Sequence, residues 1–434
     1  MPSSNGNTSE SQPLLPTSRS GGSSSFWARA TPKRVIAAVL TTVFIIGTVV
    51  TLALDIQTRK AIDADPYRAA LAILDRHPMI DTHIDLPYFM RMMKHNNASA
   101  IDLHEPQPGH VDIPRLRKGR VGGFFWSVFT ECPDKDTSVL DEFLNPTNSV
   151  RDTLEQIDIA QALIQKHPET FSFALTSKDI RKAIKAGKIA SLMGIEGGHQ
   201  FGNSIAAVRQ LFNLGVRYAT LTHSCHNIFA DSAGIFIPPV PLYNGLSDIG
   251  VKLVHEMNRI GMIVDISHTS DATAAHVLKV TKAPVIWSHS SAKAVWDVPR
   301  NVPDFILEKI GTGPDKVDAV VQVNFAPYFV AAPAKADVKV VADHVEWIAK
   351  VAGKAHVGIG SDFDGIEETP VGLEDVSKYP KLFAELYSRG WSERDLAGLA
   401  GENLLRVMEG VEAAAYKLRN EPRSEAVYSK RSDL

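Results

Sequence analysis

Eight short apolar runs alternating with helical stretches predict an α/β fold, a (β/α)8 TIM-type barrel of parallel strands. Two further observations frame it. A polar tail and one uncharged run of membrane-spanning length precede the barrel, and six of the eight runs close on His, Glu or Asp. An open doubly wound sheet is the rival architecture. No G-x-G-x-x-G follows a strand, which disfavours its dinucleotide-binding version.

The first 25 residues are rich in Ser, Gly, Pro and Asn and too polar to bury a core, so residues 1–34 read as a disordered cytoplasmic tail. Residues 35–54 carry no charge. A helix rising about 1.5 Å per residue over that length spans roughly the 30 Å hydrocarbon of a bilayer. Arg29, Lys33 and Arg34 precede the run and Asp55 ends it. The positive-inside rule then makes it a signal anchor: a single-pass type II membrane protein with its catalytic domain lumenal or extracellular. A cleaved signal peptide would have a shorter polar lead and a small-x-small site, and a core helix would show a polar face. Residues 55–65 read as a linker, 66–415 as the barrel and 416–434 as a polar C-terminal tail without a lipid-anchor signal. Asn97-Ala98-Ser99 is a glycosylation sequon that would face the lumen.

The strand runs are 78–83, 122–129, 189–197, 217–223, 261–268, 283–289, 318–325 and 356–363. Their spacing by amphipathic stretches is what a parallel sheet covered on both faces requires. The composition agrees: 44% hydrophobic and 22% charged residues suit a full core. The 46 basic against 49 acidic residues leave no excess to neutralise phosphates, which argues against nucleic-acid binding. Two cysteines exclude a disulfide-dense scaffold or a four-cysteine zinc ribbon. Cys132 and Cys225 could be core thiols, but a lumenal setting favours a bridge between them.

The polar closures carry the chemistry. His83 and Asp85 close the first run, Glu196 the third, His223 the fourth, His268 the fifth, His289 the sixth, and Asp362 with Asp364 the eighth. In a barrel all these ends meet on the rim that bears the active site. His83 and Asp85, two apart, point to one side and suit one ion. His268 and His289 end neighbouring strands and suit a second, with Glu196 bridging. Imidazole and carboxylate ligands with open positions fit catalytic Zn²⁺, two per chain, holding a hydroxide between them. Asp81 and Asp265 read as buttresses, and Asp364 as a shaper of its turn. His77, His167, His255, His276 and His344 lie in helical or loop stretches and receive no role.

The blocks DTHIDLP (81–87), GGFFWSVF (122–129), GIEGGH (194–199), LTHSC (221–225), DISH (265–268), SHSSA (288–292), RNVPD (300–304), VNF (323–325) and GSDFDG (360–365) resemble the membrane dipeptidase family of zinc peptidases. The resemblance implies a (β/α)8 barrel. It implies zinc on His83, Asp85, Glu196, His268 and His289, and hydrolysis of dipeptides with a free C-terminal carboxylate through the metal-bridging hydroxide. His223 would bind the scissile carbonyl or oxyanion, Asp362 would carry the proton, and Arg300 would pair with the substrate carboxylate. It also implies a Cys132–Cys225 disulfide and a homodimer. Departures at Ile84, Tyr88, Lys293 and Pro299 surround the expected ligands without replacing them. Animal members carry a C-terminal lipid anchor where this chain has an N-terminal helix. A rival reading is an amidohydrolase-type barrel acting on a cyclic amide or ester. Such enzymes start with His-x-His and often use a strand-end Lys, whereas this chain has His-x-Asp and no such Lys. A non-catalytic scaffold would be expected to have lost a ligand or Asp362, and all are present.

Overall fold

The computed structural model describes residues 32–133 and 147–430. The expected disordered tail therefore falls almost wholly outside the described residues, as do the last four residues of the C-terminal tail. The chain forms two compact units, divided between Ala61 and Ile62. The described part of the first is helical, belonging to the helix Pro32–Asp63, whose segment Val35–Leu52 has a mean hydropathy of 2.5 and none of its length buried. Thr41, Thr42, Thr48 and Thr51 each donate their hydroxyl to the carbonyl four residues back. These side-chain donors are thus satisfied inside the helix, as a hydrocarbon environment demands. The helix is long and apolar enough to cross a membrane.

The second unit is the expected barrel. Its strands are β1 (Met79–Ile84), β2 (Val121–Val128), β3 (Phe171–Phe173), β4 (Ile189–Glu196), β5 (Val216–Thr220), β6 (Ile263–Asp265), β7 (Val285–Trp287), β8 (Ala319–Val323) and β9 (Val357–Ile359). All pair in parallel, in the order β1-β2-β4-β5-β6-β7-β8-β9. An Ile84–Phe363 bridge joins the two ends of that path, with Asp85 N–H donating to Phe363 O (2.8 Å) and Asp362 N–H to His83 O (3.0 Å). Each of the eight expected runs supplies one barrel strand. The ninth, β3, was not anticipated; it pairs only with β4, outside the closed path. Its three residues, Phe-Ser-Phe, are too few to show a period.

Every residue of β2 and β4 is buried, because helices cover the sheet outside and side chains fill it inside. Along β2, Phe124, Trp126 and Val128 join one apolar cluster and Phe125 another, the two-residue alternation of a strand. The helices start where the sequence supplies a cap: Thr176, Ser204, Ser247, Ser270 and Asp337 each accept a hydrogen bond from the first turn.

Two buried carboxylates lock the strand ends. Asp81 accepts from the N–H of His83 (2.8 Å) and of Ser361 (3.1 Å) and from the Tyr379 hydroxyl, tying β1 to the segment after β9. Asp265 accepts from the N–H of Ser267 (3.0 Å) and of Ser288 (2.8 Å), and from the hydroxyls of Ser288 and Thr220. It thereby joins β5, β6 and the residue after β7. These are the buttressing positions expected of both residues, and each lies two or three residues before a histidine of the mouth.

Candidate metal centre at the barrel mouth

The six polar closures converge. Glu196 is the last residue of β4 and is 4% exposed. Its Oε1 lies 2.9 Å from His268 Nε2 and 3.1 Å from His289 Nε2, while its Oε2 lies 3.5 Å from His83 Nε2. Asp85 Oδ2 is 3.4 Å from the same His83 nitrogen. Two ligands, each about 2.0–2.1 Å from a tetrahedral zinc, stand roughly 3.3 Å apart. The observed separations bracket that value. One carboxylate thus presents one oxygen to each of two ligand groups.

The free atoms point the same way. His83 Nδ1 is 2.8 Å from the Tyr218 hydroxyl, which leaves the buried Nε2 without a hydrogen-bond partner. Asp85 Oδ1 is also buried without one. His289 Nδ1 is 2.9 Å from Ser288 Oγ, and its Nε2 faces His268 Nε2 at 2.9 Å. Two neutral imidazoles and a carboxylate oxygen aimed at one point are lone pairs in search of a cation. Gly365 keeps the space open: a Cβ there would collide with Asp85 Oδ2 and stand 2.9 Å from Asp362 Oδ1. Gly194 does the same for Tyr218, since a Cβ would strike its ring. His268 (φ 60°) and Asp362 (φ 69°) occupy left-handed backbone, strain of the kind found at functional sites.

The electrostatics suit a cation. Burial, Arg300 and the neighbouring imidazoles hold His268 well below the usual histidine range. Burial, His83 and Arg300 do the same to His289. Both are neutral imidazoles near pH 7. Burial opposes charge on His83 too, but Tyr218, Asp85 and Glu196 outweigh it and raise its pKa well above the usual value. A proton there sits where a metal charge would be welcome. Burial pushes Glu196 up to about 7, against the pull of His83.

The remaining candidates ring this core. His223 lies with its Nε2 3.9 Å from Glu196 Oε1 and its ring 4.3 Å from that of His268. Burial, His199 and Arg300 keep it neutral. Its Nδ1 faces Ser224 Oγ at 3.2 Å and Cys132 Sγ at 3.9 Å. The structure pairs Cys132 with Cys225, which anchors the segment after β2 beside this histidine. Asp362 Oδ1 is 4.0 Å from His83 Nε2, and Asn324 donates to Oδ2 at 2.9 Å. Burial and the Asp85 charge raise Asp362 to about 6, with His83 opposing. Arg300 is 4% exposed; it donates to Ser290 Oγ (3.3 Å) and His289 O (3.1 Å), and its buried Nε has no hydrogen-bond partner. Asp364 accepts from His110 N–H and shapes the turn, as expected of it.

Sequence reasoning assigned nothing to Tyr218, Ser288 and Asn324, which orient His83, His289 and Asp362. Asn324 could have been suspected from the V-N-F block; Tyr218 depends on a glycine on the neighbouring strand.

The model of the family described as membrane dipeptidase (peptidase family M19) matches residues 67–422. An uncharacterised dipeptidase of Schizosaccharomyces pombe is 45% identical over 361 residues, 82% of this chain and 86% of that protein. The dipeptidase verJ of Clonostachys rogersoniana is 43% identical over 370 residues, 84% of this chain and 92% of that one. Among solved structures, the probable dipeptidase PvdM of Pseudomonas aeruginosa shares the fold with a TM-score of 0.72 at 22% identity, covering 81% of this chain and 99% of its own. A metallopeptidase of Rhodobacter sphaeroides, solved with a phosphinate mimic of L-Ala-D-Ala, does so with a TM-score of 0.67 at 24% identity, covering 77% and 99%. By the family match and by the two relatives above 40% identity, this chain belongs to the membrane dipeptidase family of metallopeptidases, peptidase family M19.

Proposed function

We propose that the chain is a dizinc dipeptidase that hydrolyses dipeptides with a free C-terminal carboxylate. The observation that carries this reading is Glu196, whose two oxygens face His83 on one side and the His268–His289 pair on the other. His83, Asp85 and Glu196 would hold one ion, and Glu196, His268 and His289 the other. When bound, such a pair ionises a water at neutral pH and polarises the peptide carbonyl. The rest is the work of this chain's own groups. His223, neutral and at the open side of the cluster, donates to the carbonyl oxygen as negative charge develops there. Asp362, held through Oδ2 by Asn324, uses Oδ1 to take a proton from the water and return it to the leaving amine. Arg300 offers its unpaired Nε to the substrate carboxylate. That contact restricts the substrate to two residues, since a longer peptide has no carboxylate at that distance.

The test is direct. The detergent-purified full chain is expected to carry two zinc ions, to cleave Gly- and Ala-containing dipeptides, and to stop when chelated. Turnover of lactones or cyclic imides instead, or hydrolysis indifferent to chelators, would refute the reading. Arg300→Lys is expected to raise KM for dipeptides by roughly 10–100-fold, because an ammonium cannot keep the contacts to Ser290 and His289 O and still present a donor where Nε stands. Against a dipeptide amide, which lacks the carboxylate, the wild type should lose its advantage over Arg300→Lys.

Residues 35–54 would anchor the chain as a type II membrane protein with the barrel lumenal or extracellular. Asn97 is exposed and would then be glycosylated. A glycosidase-sensitive mass shift lost in Asn97→Gln is expected, and an unmodified Asn97 together with an extracellular N-terminus would reverse the orientation. The family likeness implies a homodimer, which sedimentation of the purified chain checks.

A further inference from the structure

A second group of side chains with metal-ligating atoms lies away from the mouth, among residues without a role in the proposed reaction. Asp102 and His104 stand on the loop before the short helix Ile113–Lys118; His167 and Glu169 stand on the turn between helix Thr147–Lys166 and β3. That turn leads into the N-terminal end of β3, which pairs with the start of β4, at the opposite end of that strand from Glu196. One ligand atom from each of Asp102, His104 and His167 lies within 4.8 Å of the other two. Glu169 adds a carboxylate, with Oε1 3.2 Å from His104 Nε2 and 3.9 Å from His167 Nδ1. The two imidazoles meet edge to face, their centroids 5.0 Å apart.

An ordinary surface ion pair, weak in water, would account for His104 and Glu169. It does not account for His167. That side chain is 5% exposed; its Nδ1 stands 3.9 Å from Glu169 Oε1, beyond hydrogen-bond reach, and its buried Nε2 has no hydrogen-bond partner. An imidazole buried in this way is costly, and a cation on the nitrogen that faces the carboxylate would relieve part of that cost. His104 and Glu169 are about half exposed and free to close on an ion, while His167 is fixed. Lys166 is the opposing charge nearby, but its ammonium is held by the carbonyls of Ala98 and Ile101 and takes none of the four ligands.

We propose that Asp102, His104, His167 and Glu169 form a structural site for a divalent transition ion, distinct from the pair at the mouth. Two imidazoles with two carboxylates suit Zn²⁺ and its first-row neighbours rather than Ca²⁺ or Mg²⁺. The ion would join two segments some 65 residues apart in sequence. The loop that carries Asp102 and His104 continues to His110, whose Nδ1 accepts from Asp364 N–H in the turn beside Asp362. With Lys166 nearby and exposed ligands, this site binds more weakly than the mouth and empties first under chelation.

The test uses the full-length chain in detergent, loaded with ZnCl₂ and freed of excess ion. Wild type is expected to hold one more zinc per chain than His104→Ala or Glu169→Gln, by elemental analysis. Added zinc should raise its melting temperature further than that of either variant, while both variants keep the wild-type rate of dipeptide hydrolysis. Equal metal content and equal zinc-induced shifts in all three proteins would overturn the proposal. So would a variant that loses its ion together with hydrolysis, since that ion would belong to the mouth. Metal content reads this site whether or not dipeptides prove to be the substrate, so failure here is separable from failure of the proposed activity.

Discussion

Glu196→Gln is expected to abolish dipeptide hydrolysis, lowering kcat/KM by at least about 10⁴-fold, or roughly 5.5 kcal/mol at 1.36 kcal/mol per decade. The reason is that one side chain serves two ligand groups: Oε1 stands 2.9 and 3.1 Å from the His268 and His289 nitrogens, and Oε2 3.5 Å from His83. The amide keeps the shape but loses the charge and half of the acceptor capacity, so neither ion keeps a full set of ligands. Zinc content should fall below two per chain in step with activity. The fold should not suffer. Glu196 is 4% exposed and burial already pushes it up to about 7, so the metal-free protein spends free energy to hold a carboxylate there. A neutral amide removes that cost, and the melting temperature of the metal-free variant should equal or exceed that of the metal-free wild type. Full zinc occupancy with normal turnover in Glu196→Gln would rule out the bridging role.

The fold was legible because its determinants are local and repeated. A strand covered on both faces is apolar throughout, and a covering helix is apolar on one side, so the alternation appears in the chain itself. The cluster at the mouth was legible for a related reason: a His, Glu or Asp closing an apolar run breaks a pattern. What stayed hidden depends on contacts between distant segments. Tyr218 is one more aromatic in a strand until Gly194, on the neighbouring strand, opens room for its ring beside His83. Asn324 acquires meaning only when β8 sets it 2.9 Å from Asp362. Arg300 closes no strand, and only the family likeness marked it; the structure adds that its loop folds back so that the guanidinium donates to His289 O. His167 draws no role from sequence because nothing in its neighbourhood along the chain shows that Asp102 and His104 come to meet it.

Asp362→Asn is expected to separate metal binding from proton transfer. Asp362 stands in left-handed backbone at φ 69°, which asparagine tolerates well, and the amide can still accept the hydrogen bond from Asn324 Nδ2. Its Oδ1 is 4.0 Å from His83 Nε2, whereas Asp85 Oδ2 is at 3.4 Å. The outer position suits a group that serves the water and the leaving amine rather than an ion. The variant should therefore keep both zinc ions and an unchanged KM while kcat falls by about 10²–10⁴-fold, the usual worth of a positioned acid–base group. The pH profile gives a second readout. Burial and Asp85 raise Asp362 to about 6 in the metal-free protein, and cations bound nearby favour its ionised form and lower that value. Wild-type kcat/KM should fall on an acid limb at or below pH about 6, as the carboxylate that accepts the proton is lost, and any acid limb in the residual activity of Asp362→Asn should lie elsewhere. Loss of an ion in Asp362→Asn would make the residue a metal ligand, and an unchanged acid limb would move the proton's carrier to another group.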